Sequence, residues 1–274
     1  MVHKLGSRRA SSIALACGIL VLQLSCWSTP KYAPLKRAEG LPSSLDELVD
    51  LSDRLAVEGA EHEDLLKALS ALDVAERLVK DRSQKRMEVL WRKSRVLYLM
   101  ADMNIPQYPK ERCTDEGENA ASEAATIAPD RVEGHYYYAI HLGLRAMDAT
   151  VGALTMVPKV EAAAKKAVEI DPSYDDAGPL RLLGMLYVKA PSWPASIGDI
   201  DEGLKLLERA TQISSFPLNR LFLGEALIEA GREPEGIQTL RAVLRVPRQG
   251  RWGIVGEKWR EHARRLLRAV GQKD

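Results

Sequence analysis

The stretch "FLGEALIEAGREPEGIQTLRAV", residues 222–243, places small and large residues at a fixed spacing. Gly224 and Gly236 are the small positions, and Leu240 and Val243 are large residues on the second half of the stretch. Small residues let two helices approach closely, and large residues fill the groove made by a neighbouring hairpin. The stretch therefore predicts two short helices that pack as a hairpin.

The same pattern recurs upstream at regular intervals. A Leu-Gly pair at Leu183–Gly184 precedes the Leu-Gly pair of the quoted stretch by 40 residues. An alanine followed three residues later by an isoleucine recurs every 43 residues, at Ala124, Ala167 and Ala210. Three copies at one interval are typical of a stacked repeat protein. The spacing is that of a tetratricopeptide repeat, lengthened by insertions between the helices.

The composition agrees with helices. Apolar residues make up 46% of the 274-residue chain but aromatic residues only 5%, which favours helices over sheets. Apolar side chains recur at three- and four-residue steps from Leu65 to Leu78, and no segment alternates with a period of two. We predict an all-α fold, a tetratricopeptide-like helical-hairpin solenoid of four to five hairpins, over residues 44–270, with Ser44 and Glu47 forming the first capping box.

The N-terminus predicts export. Lys4, Arg8 and Arg9 precede an apolar run over residues 13–24, which is short for a membrane span and suits a signal peptide. The run ends at Cys26 in a context similar to a bacterial lipobox, although Gln23 stands where leucine is usual. The pattern predicts a signal peptide over 1–25, a proline-rich lipid-anchored tether over 26–43 and the repeat domain over 44–270. A plain cleaved signal and an uncleaved anchor are the alternatives.

The charge, the residue after Cys26 and the cysteine count bear on the partners and the location of the chain. The formal net charge is +1 with interspersed signs, so we predict no nucleic-acid partner. Trp27, next to Cys26, provides no inner-membrane retention signal such as aspartate, which favours the outer membrane. After export and acylation only Cys113 would remain as a thiol, so no internal disulfide would support the fold.

Several longer segments resemble a known family. "EIDPSYDDAGPLRLLGMLYVKAPSWPASIGDIDEGLKLLERA" (residues 169–210), together with residues 112–143 and 219–227, resembles the T-component of tetratricopeptide-associated TRAP transporters. The resemblance covers about half of the chain, and its proline-rich insertion ending at Asp199 is its most specific part. It implies a periplasmic helical lipoprotein that assembles as a homotrimer. It also implies association with the solute-binding protein that serves a membrane permease.

Five side chains are candidates for ligand or partner binding: Tyr137, His141, Arg181, Trp193 and Asn219. Tyr137 and His141 belong to an aromatic cluster on one helix, whose consecutive members cannot all face one pocket. Arg181 suits a carboxylate ligand, or an internal ion pair with Asp175 or Asp176. Asn219 lies at the start of another hairpin helix, and the same two alternatives apply to it: ligand binding or an internal contact.

Trp193 lies in the proline-rich insertion between two helices. Flanking prolines stiffen the loop and would present the indole at a surface. The alternative is that the indole folds back between hairpins. If the loop is a docking site, we expect Trp193 and Arg181 to share one binding surface.

The sequence contains no constellation typical of an enzyme. "EHED" (61–64) lacks a second histidine at helical spacing, so we predict no metal site, no cofactor and no catalytic residue. A basic C-terminal helix near 257–270 is interpreted as a terminal cap, with anionic lipid or nucleic acid as its alternative partners.

The functional prediction is a non-enzymatic periplasmic scaffold of a TRAP-type solute-uptake system. It would bind the solute-binding protein and an organic ligand. The alternative is a general cell-envelope adaptor for protein–protein interaction, without a transported solute.

Overall fold

The fold is an array of antiparallel helices, seen in a computed structural model that describes residues 32–272 except 58, 82, 104, 150 and 248–254. The predicted signal peptide and Cys26 lie outside the described residues. Within these residues the chain forms eleven helices and no strand: α1 Leu45–Leu55, α2 His62–Leu78, α3 Gln84–Met100, α4 Lys110–Ile127, α5 Val132–Asp148, α6 Ala153–Ile170, α7 Tyr174–Lys189, α8 Ile200–Ile213, α9 Pro217–Glu229, α10 Glu233–Leu244 and α11 Val255–Ala269. The all-α prediction is confirmed.

The first helix begins where the capping box predicts. The Ser44 side chain accepts a hydrogen bond from the Glu47 N–H at 3.4 Å and donates one to the Glu47 carboxylate at 2.7 Å. The segment before it differs from the predicted tether, because the compact unit begins at Leu35. Leu35 and Leu41 pack against the first apolar core, and the Ala38 N–H donates to Ser70 Oγ at 2.8 Å. The second half of the predicted tether is therefore part of the folded domain.

The connection after α3 is shorter than its polar sequence suggests. The composition of residues 101–119 is typical of an irregular segment, but α4 already begins at Lys110. Its first turns bury Cys113, Thr114 and Gly117 against the array, and this buried face makes the polar segment helical. Burial also raises the pKa of the Cys113 thiol to about 12, so the thiol is held in its protonated form.

The 43-residue interval corresponds to one helix pair of the array. Ala124, Ala167 and Ala210 are all buried, and they occupy equivalent positions near the ends of α4, α6 and α8. In each case the alanine carbonyl accepts the N–H of the residue that follows the helix, at 3.0 Å. Burial at a helix–helix contact explains why a small residue recurs there.

The glycines of the quoted stretch lie where α9 and α10 approach each other. A Cβ on Gly224 would lie 2.8 Å from the Leu240 side chain, and one on Gly236 would lie 3.0 Å from the Gly224 carbonyl oxygen. The preceding pair repeats this contact, since a Cβ on Gly203 in α8 would lie 2.9 Å from the carbonyl oxygen of Gly184 in α7. Close helix approach through glycine is therefore the common feature of both hairpins.

Odd-numbered helices run parallel to one another. At the start of α5 the Tyr136 hydroxyl donates to Asp175 at 2.6 Å, and further along both helices Ala139 and Leu183 share a core. The same order holds for α7 and α9, where Arg181 contacts Asn219. One end of the array, here called the Trp193 end, therefore holds the described residues of the connections that follow odd-numbered helices: 56–61 without 58, 101–109 without 104, 149–152 without 150, 190–199 and 230–232.

The last helix closes the array. Trp259 packs edge-on against Phe216 with ring centroids 5.2 Å apart, and Ala263 and Leu267 are buried on the same face. The opposite face carries ion pairs, such as the one between Arg264 and Glu257 at 3.1 Å. An apolar inner face with a polar outer face is typical of a capping helix. No helix among the described residues has the length and apolar character needed to cross a membrane.

Candidate functional site

The insertion between α7 and α8, residues 190–199, is held in one conformation by its own backbone. The Gly198 N–H donates to the Pro191 carbonyl at 2.9 Å, and the Asp199 N–H donates to the Tyr187 carbonyl at 3.0 Å. The N–H groups of residues 195 and 196 both bond to the Ser192 carbonyl. Much of the loop main chain therefore has hydrogen-bond partners within the loop or at the end of α7.

Both ends of this loop are fixed to helices. Asp199 caps α8, since its carboxylate accepts the Glu202 N–H at 3.0 Å, and Ile197 packs against the core formed by α5, α6 and α7. Gly198 passes so close to the end of α7 that an added Cβ would lie 2.0 Å from the Ala190 carbonyl oxygen. A side chain at this position would require the loop to move.

Trp193 projects from the loop into solvent. Its side chain is 84% exposed, whereas Trp91 and Trp259 are 8% and 7% exposed. The indole does not fold back between the hairpins, so its truncation would leave no cavity. A large aromatic side chain on a pre-ordered loop loses little conformational freedom on binding, and such residues frequently dominate interfaces.

Arg181 and Asn219 lie in the interior between α7 and α9. Arg181 Nη1 donates to Asn219 Oδ1 at 2.7 Å and to the Asp176 carbonyl at 3.2 Å. Its guanidinium also lies 3.6 Å from the Asp175 carboxylate and over the Phe216 ring. The internal ion pair, which the sequence left as an alternative for Arg181, is therefore present.

The Asn219 amide completes this network. It donates to the carbonyls of Asp176, Ala210 and Ser214 at 2.9–3.2 Å, and the residue is fully buried. Arg181 is only 6% exposed, so it does not line a surface together with Trp193. The expected shared surface of these two residues is not found.

A left-handed turn lies at the centre of the network. Asp175, Asp176 and Ala177 have φ values of 49°, 54° and 66°, a conformation that costs roughly 1–2 kcal/mol for each residue. The Asp175 carboxylate accepts from Tyr136, and the Asp176 carboxylate accepts from the Ser214 hydroxyl at 2.8 Å. These side-chain contacts offset the strain and fix the start of α7.

Sequence reasoning missed Ser214 as a partner of this turn, and it named Asp176 only as an ion-pair candidate for Arg181. The only signal available for them was the polar composition of the segments before two hairpin helices. A polar segment of that kind is equally typical of a solvated loop.

Tyr137 belongs to an aromatic core. It is 3% exposed and its ring is parallel to that of Trp91, with centroids 6.3 Å apart. Tyr136 and Tyr174 contact the same ring at 5.1 and 6.5 Å. These contacts connect α3, α5 and α7, so the cluster holds successive repeats together.

His141 is buried between three helices. Its Nε2 bonds to the Ser94 carbonyl at 3.0 Å, and Gly117 of α4 leaves it space, because a Cβ there would lie 2.2 Å from the imidazole. Burial lowers the pKa of His141 to about 4, so the ring is neutral near pH 7. Among the described residues no group of three or more His, Cys, Asp or Glu side chains could hold a metal ion.

The five candidate residues therefore lie in three places, two of them buried. Arg181 and Asn219 contact each other in the interior, and Tyr137 and His141 are buried in α5. Trp193 alone is presented to solvent, at the Trp193 end.

Comparisons with known proteins agree with this architecture. A family model described as "Regulator of microtubule dynamics protein 1-3" matches residues 51–190. The crystal structure of a thermophilic TPR protein from Thermus thermophilus is similar, with a TM-score of 0.60 and 14% identity, over 82% of this chain and 99% of that one. No curated protein matches the chain.

At this identity the structural match shows the fold alone, which is TPR-like, and such helical scaffolds typically serve protein–protein interaction. Neither the family model nor this structure is described as part of a TRAP transporter. By the family match, which covers half of its length, the chain belongs to the regulator of microtubule dynamics protein 1-3 family.

Proposed function

We propose that this chain is a non-catalytic scaffold that docks a partner protein through the loop of Trp193. The observation that carries the proposal is an 84% exposed indole on a loop whose backbone is already hydrogen-bonded. Exposed tryptophan is unfavourable in water, and a pre-ordered aromatic anchor is what a protein interface commonly uses. TPR-like arrays typically bind rather than catalyse.

The proposed setting is the bacterial periplasm, with the chain held by a lipid on Cys26 and facing away from the outer membrane. The family description concerns microtubule dynamics, but the N-terminal pattern favours export from the cytoplasm. Incorporation of labelled palmitate tests the anchor. We expect labelling of the wild-type chain and none of Cys26→Ala, and equal labelling of both would refute it.

The proposed partner is the solute-binding protein of a TRAP-type uptake system, with the scaffold assembled as a homotrimer. The sequence resemblance carried by segments within residues 112–227 motivates this choice. A general envelope adaptor is the competing function. Genes for a solute-binding protein and a permease beside this one would favour the transporter, and light scattering of the purified chain would test the trimer.

The Trp193→Ala variant tests the docking loop. We expect its affinity for the solute-binding protein, measured by calorimetry, to fall about 30-fold, which corresponds to about 2 kcal/mol. Thermal stability should stay within about 0.5 kcal/mol of wild type, because the side chain is exposed. Ile213→Ala is the matched control, since Ile213 is also partly exposed but lies at the opposite end of the array.

The outcomes separate the two functions. Wild-type affinity in Trp193→Ala, or a loss equal to that of Ile213→Ala, would remove the loop from the interface. Absence of any binding to the solute-binding protein would favour the adaptor function and leave the docking loop to be tested with its actual partner.

A further inference from the structure

Exposed apolar side chains are concentrated at the Trp193 end. Among the described residues, the large apolar side chains that are at least 41% exposed are Val57, Met147, Val151, Leu154 and Trp193 at this end, and Leu78 and Ile213 at the other. Met147 and Val151 are 82% and 90% exposed. Isolated exposed apolar residues are ordinary, whereas a concentration at one end of an array indicates an interaction surface.

Three of these exposed side chains lie at the end of α5 and the start of α6. Because α5 and α7 are parallel and contact each other, their C-terminal ends point to the same side of the array. Met147 lies in the last turn of α5, Val151 in the connection after it, and Leu154 in the first turn of α6. These three residues and Trp193 therefore lie at the same end of successive helix pairs.

Exposed carboxylates lie at the same end of the array as these apolar side chains. The even-numbered helices begin at the Trp193 end, and the first turns of α2, α4 and α8 carry the acidic residues Glu63, Glu111 and Asp201, whereas that of α6 carries none. All three are exposed, and none forms an ion pair with another residue in the part of the chain that the structure describes. Next to Trp193, the exposed Asp199 adds a further negative charge at the start of α8.

We infer that Met147, Val151 and Leu154 form a second half of the docking surface, whose partner is a protein with an apolar cleft bordered by Lys and Arg side chains. The inference rests on the proposed docking through Trp193 and adds the neighbouring connection and the charge of the partner. Complementary charge at the rim of an interface speeds association and selects partners.

The carboxylates favour this occupant over two others. An anionic bilayer attracts basic rather than acidic surfaces, so the unpaired carboxylates oppose binding to it. A second copy related by a two-fold axis would place this acidic surface against itself. A protein with an apolar cleft bordered by basic side chains matches both the exposed apolar side chains and the carboxylates.

Site-specific photo-crosslinking in cells that produce the full chain tests the inference. The crosslinker benzoylphenylalanine is placed at Val151, at Trp193, or at the control position Leu78. We expect one protein to be linked from both Val151 and Trp193 and not from Leu78. That adduct supports the inference only when the purified partner also binds the purified chain.

Quantitative binding then uses three variants and two salt concentrations. We expect Val151→Ser with Met147→Ser to weaken the affinity about tenfold, and Asp199→Asn with Asp201→Asn to slow association several-fold in about 50 mM salt but little in about 500 mM salt. Leu78→Ser should bind as wild type. Unchanged melting temperatures would show that the variants are folded.

Six results would overturn the inference. A crosslink from Trp193 without one from Val151, or wild-type affinity in the Met147/Val151 variant, removes the second half and leaves the proposed function standing. Salt-insensitive binding refutes the basic partner. Sedimentation with vesicles rich in phosphatidylglycerol that depends on Val151 assigns the surface to a bilayer, and a change of mass in light scattering on Val151→Ser assigns it to a second copy. Absence of crosslinks from both positions refutes the proposed docking as well.

Discussion

The interior around Arg181 and Asn219 and the loop around Trp193 contain residues that commonly bind ligands, but the structure uses them differently. In the interior, each polar group contacts protein groups, from Asn219 to the Asp176 carbonyl and from Tyr136 to Asp175. At the loop, the backbone is satisfied internally while the Trp193 side chain is left in solvent. The difference shows that burial and existing partners, rather than residue type, separate a structural residue from a candidate for binding.

The largest expected effect comes from Asn219→Ala. This buried change removes one acceptor of Arg181 and one donor to each of three carbonyls, of which the Asp176 and Ala210 carbonyls keep a second donor. We expect the free energy of unfolding to fall by about 3 kcal/mol in urea denaturation, while the folded fraction keeps its affinity for the partner. Asn119→Ala, at an exposed site on α4, is the control and should change stability by less than about 0.5 kcal/mol. A selective loss of binding in Asn219→Ala would break the distinction between the two regions.

The repeat spacing and the helical class were predictable from sequence because they depend on local periodicity and on the small residues between helices. Ala124, Ala167 and Ala210 recur since each lies at the same helix contact. The partners of Arg181 were harder to predict from the sequence, because Tyr136 and Asn219 lie about 40 residues away on either side of it. Their contact depends on how α5, α7 and α9 stack, which the sequence pattern does not specify.

The two states of Trp193, exposed or folded back, could not be separated from sequence for a similar reason. The prolines around it predict a stiff loop in both cases. The decisive feature is Gly198, whose contact with the Ala190 carbonyl sets the path of the loop. The sequence shows that residue 198 is a glycine, but it does not show that its backbone lies against the Ala190 carbonyl.

The next effect in size concerns His141 and pH. Its pKa of about 4 in the folded chain is below the value of about 6.5 for an unfolded histidine, so the unfolded state binds the proton more tightly. The stability that the folded chain has with a neutral His141 is fully present above pH 6.5, and it is lost as the pH falls towards 4. Linkage gives a loss of about 2.5 kcal/mol at about pH 4.5 relative to about pH 7.

Urea denaturation of matched variants at the two pH values isolates this contribution. His141→Gln should show a smaller loss of stability between the higher and the lower pH than the wild-type chain, because no imidazole is left to protonate. His62→Gln, at the exposed start of α2, should behave as wild type. Equal pH dependence in all three would show that His141 is accessible to water and would weaken the contrast between interior and loop.

Gly198→Ala is expected to affect both stability and partner binding. The added Cβ would lie 2.0 Å from the Ala190 carbonyl oxygen, so the loop must shift away from the end of α7. We expect a loss of stability of about 1–2 kcal/mol together with weaker partner binding, because Trp193 moves with the loop. Ala195→Ser, at an exposed position in the same loop, should alter neither quantity. Wild-type binding after a proven shift of the loop would argue against a pre-ordered anchor.

The smallest expected effect is a gain of stability from Gly143→Ala in α5. A Cβ at this position meets no atom within 4 Å, in contrast to Gly117, where it would collide with His141. Alanine is favoured over glycine in a helix interior by about 0.5–1 kcal/mol, so thermal unfolding should shift upward with unchanged partner affinity. Gly117→Ala should instead lower stability. A Gly143→Ala chain that loses stability, or that changes mass in light scattering, would show that a second copy packs closely against this face of α5, and the apparent open space would then belong to the assembly rather than to solvent.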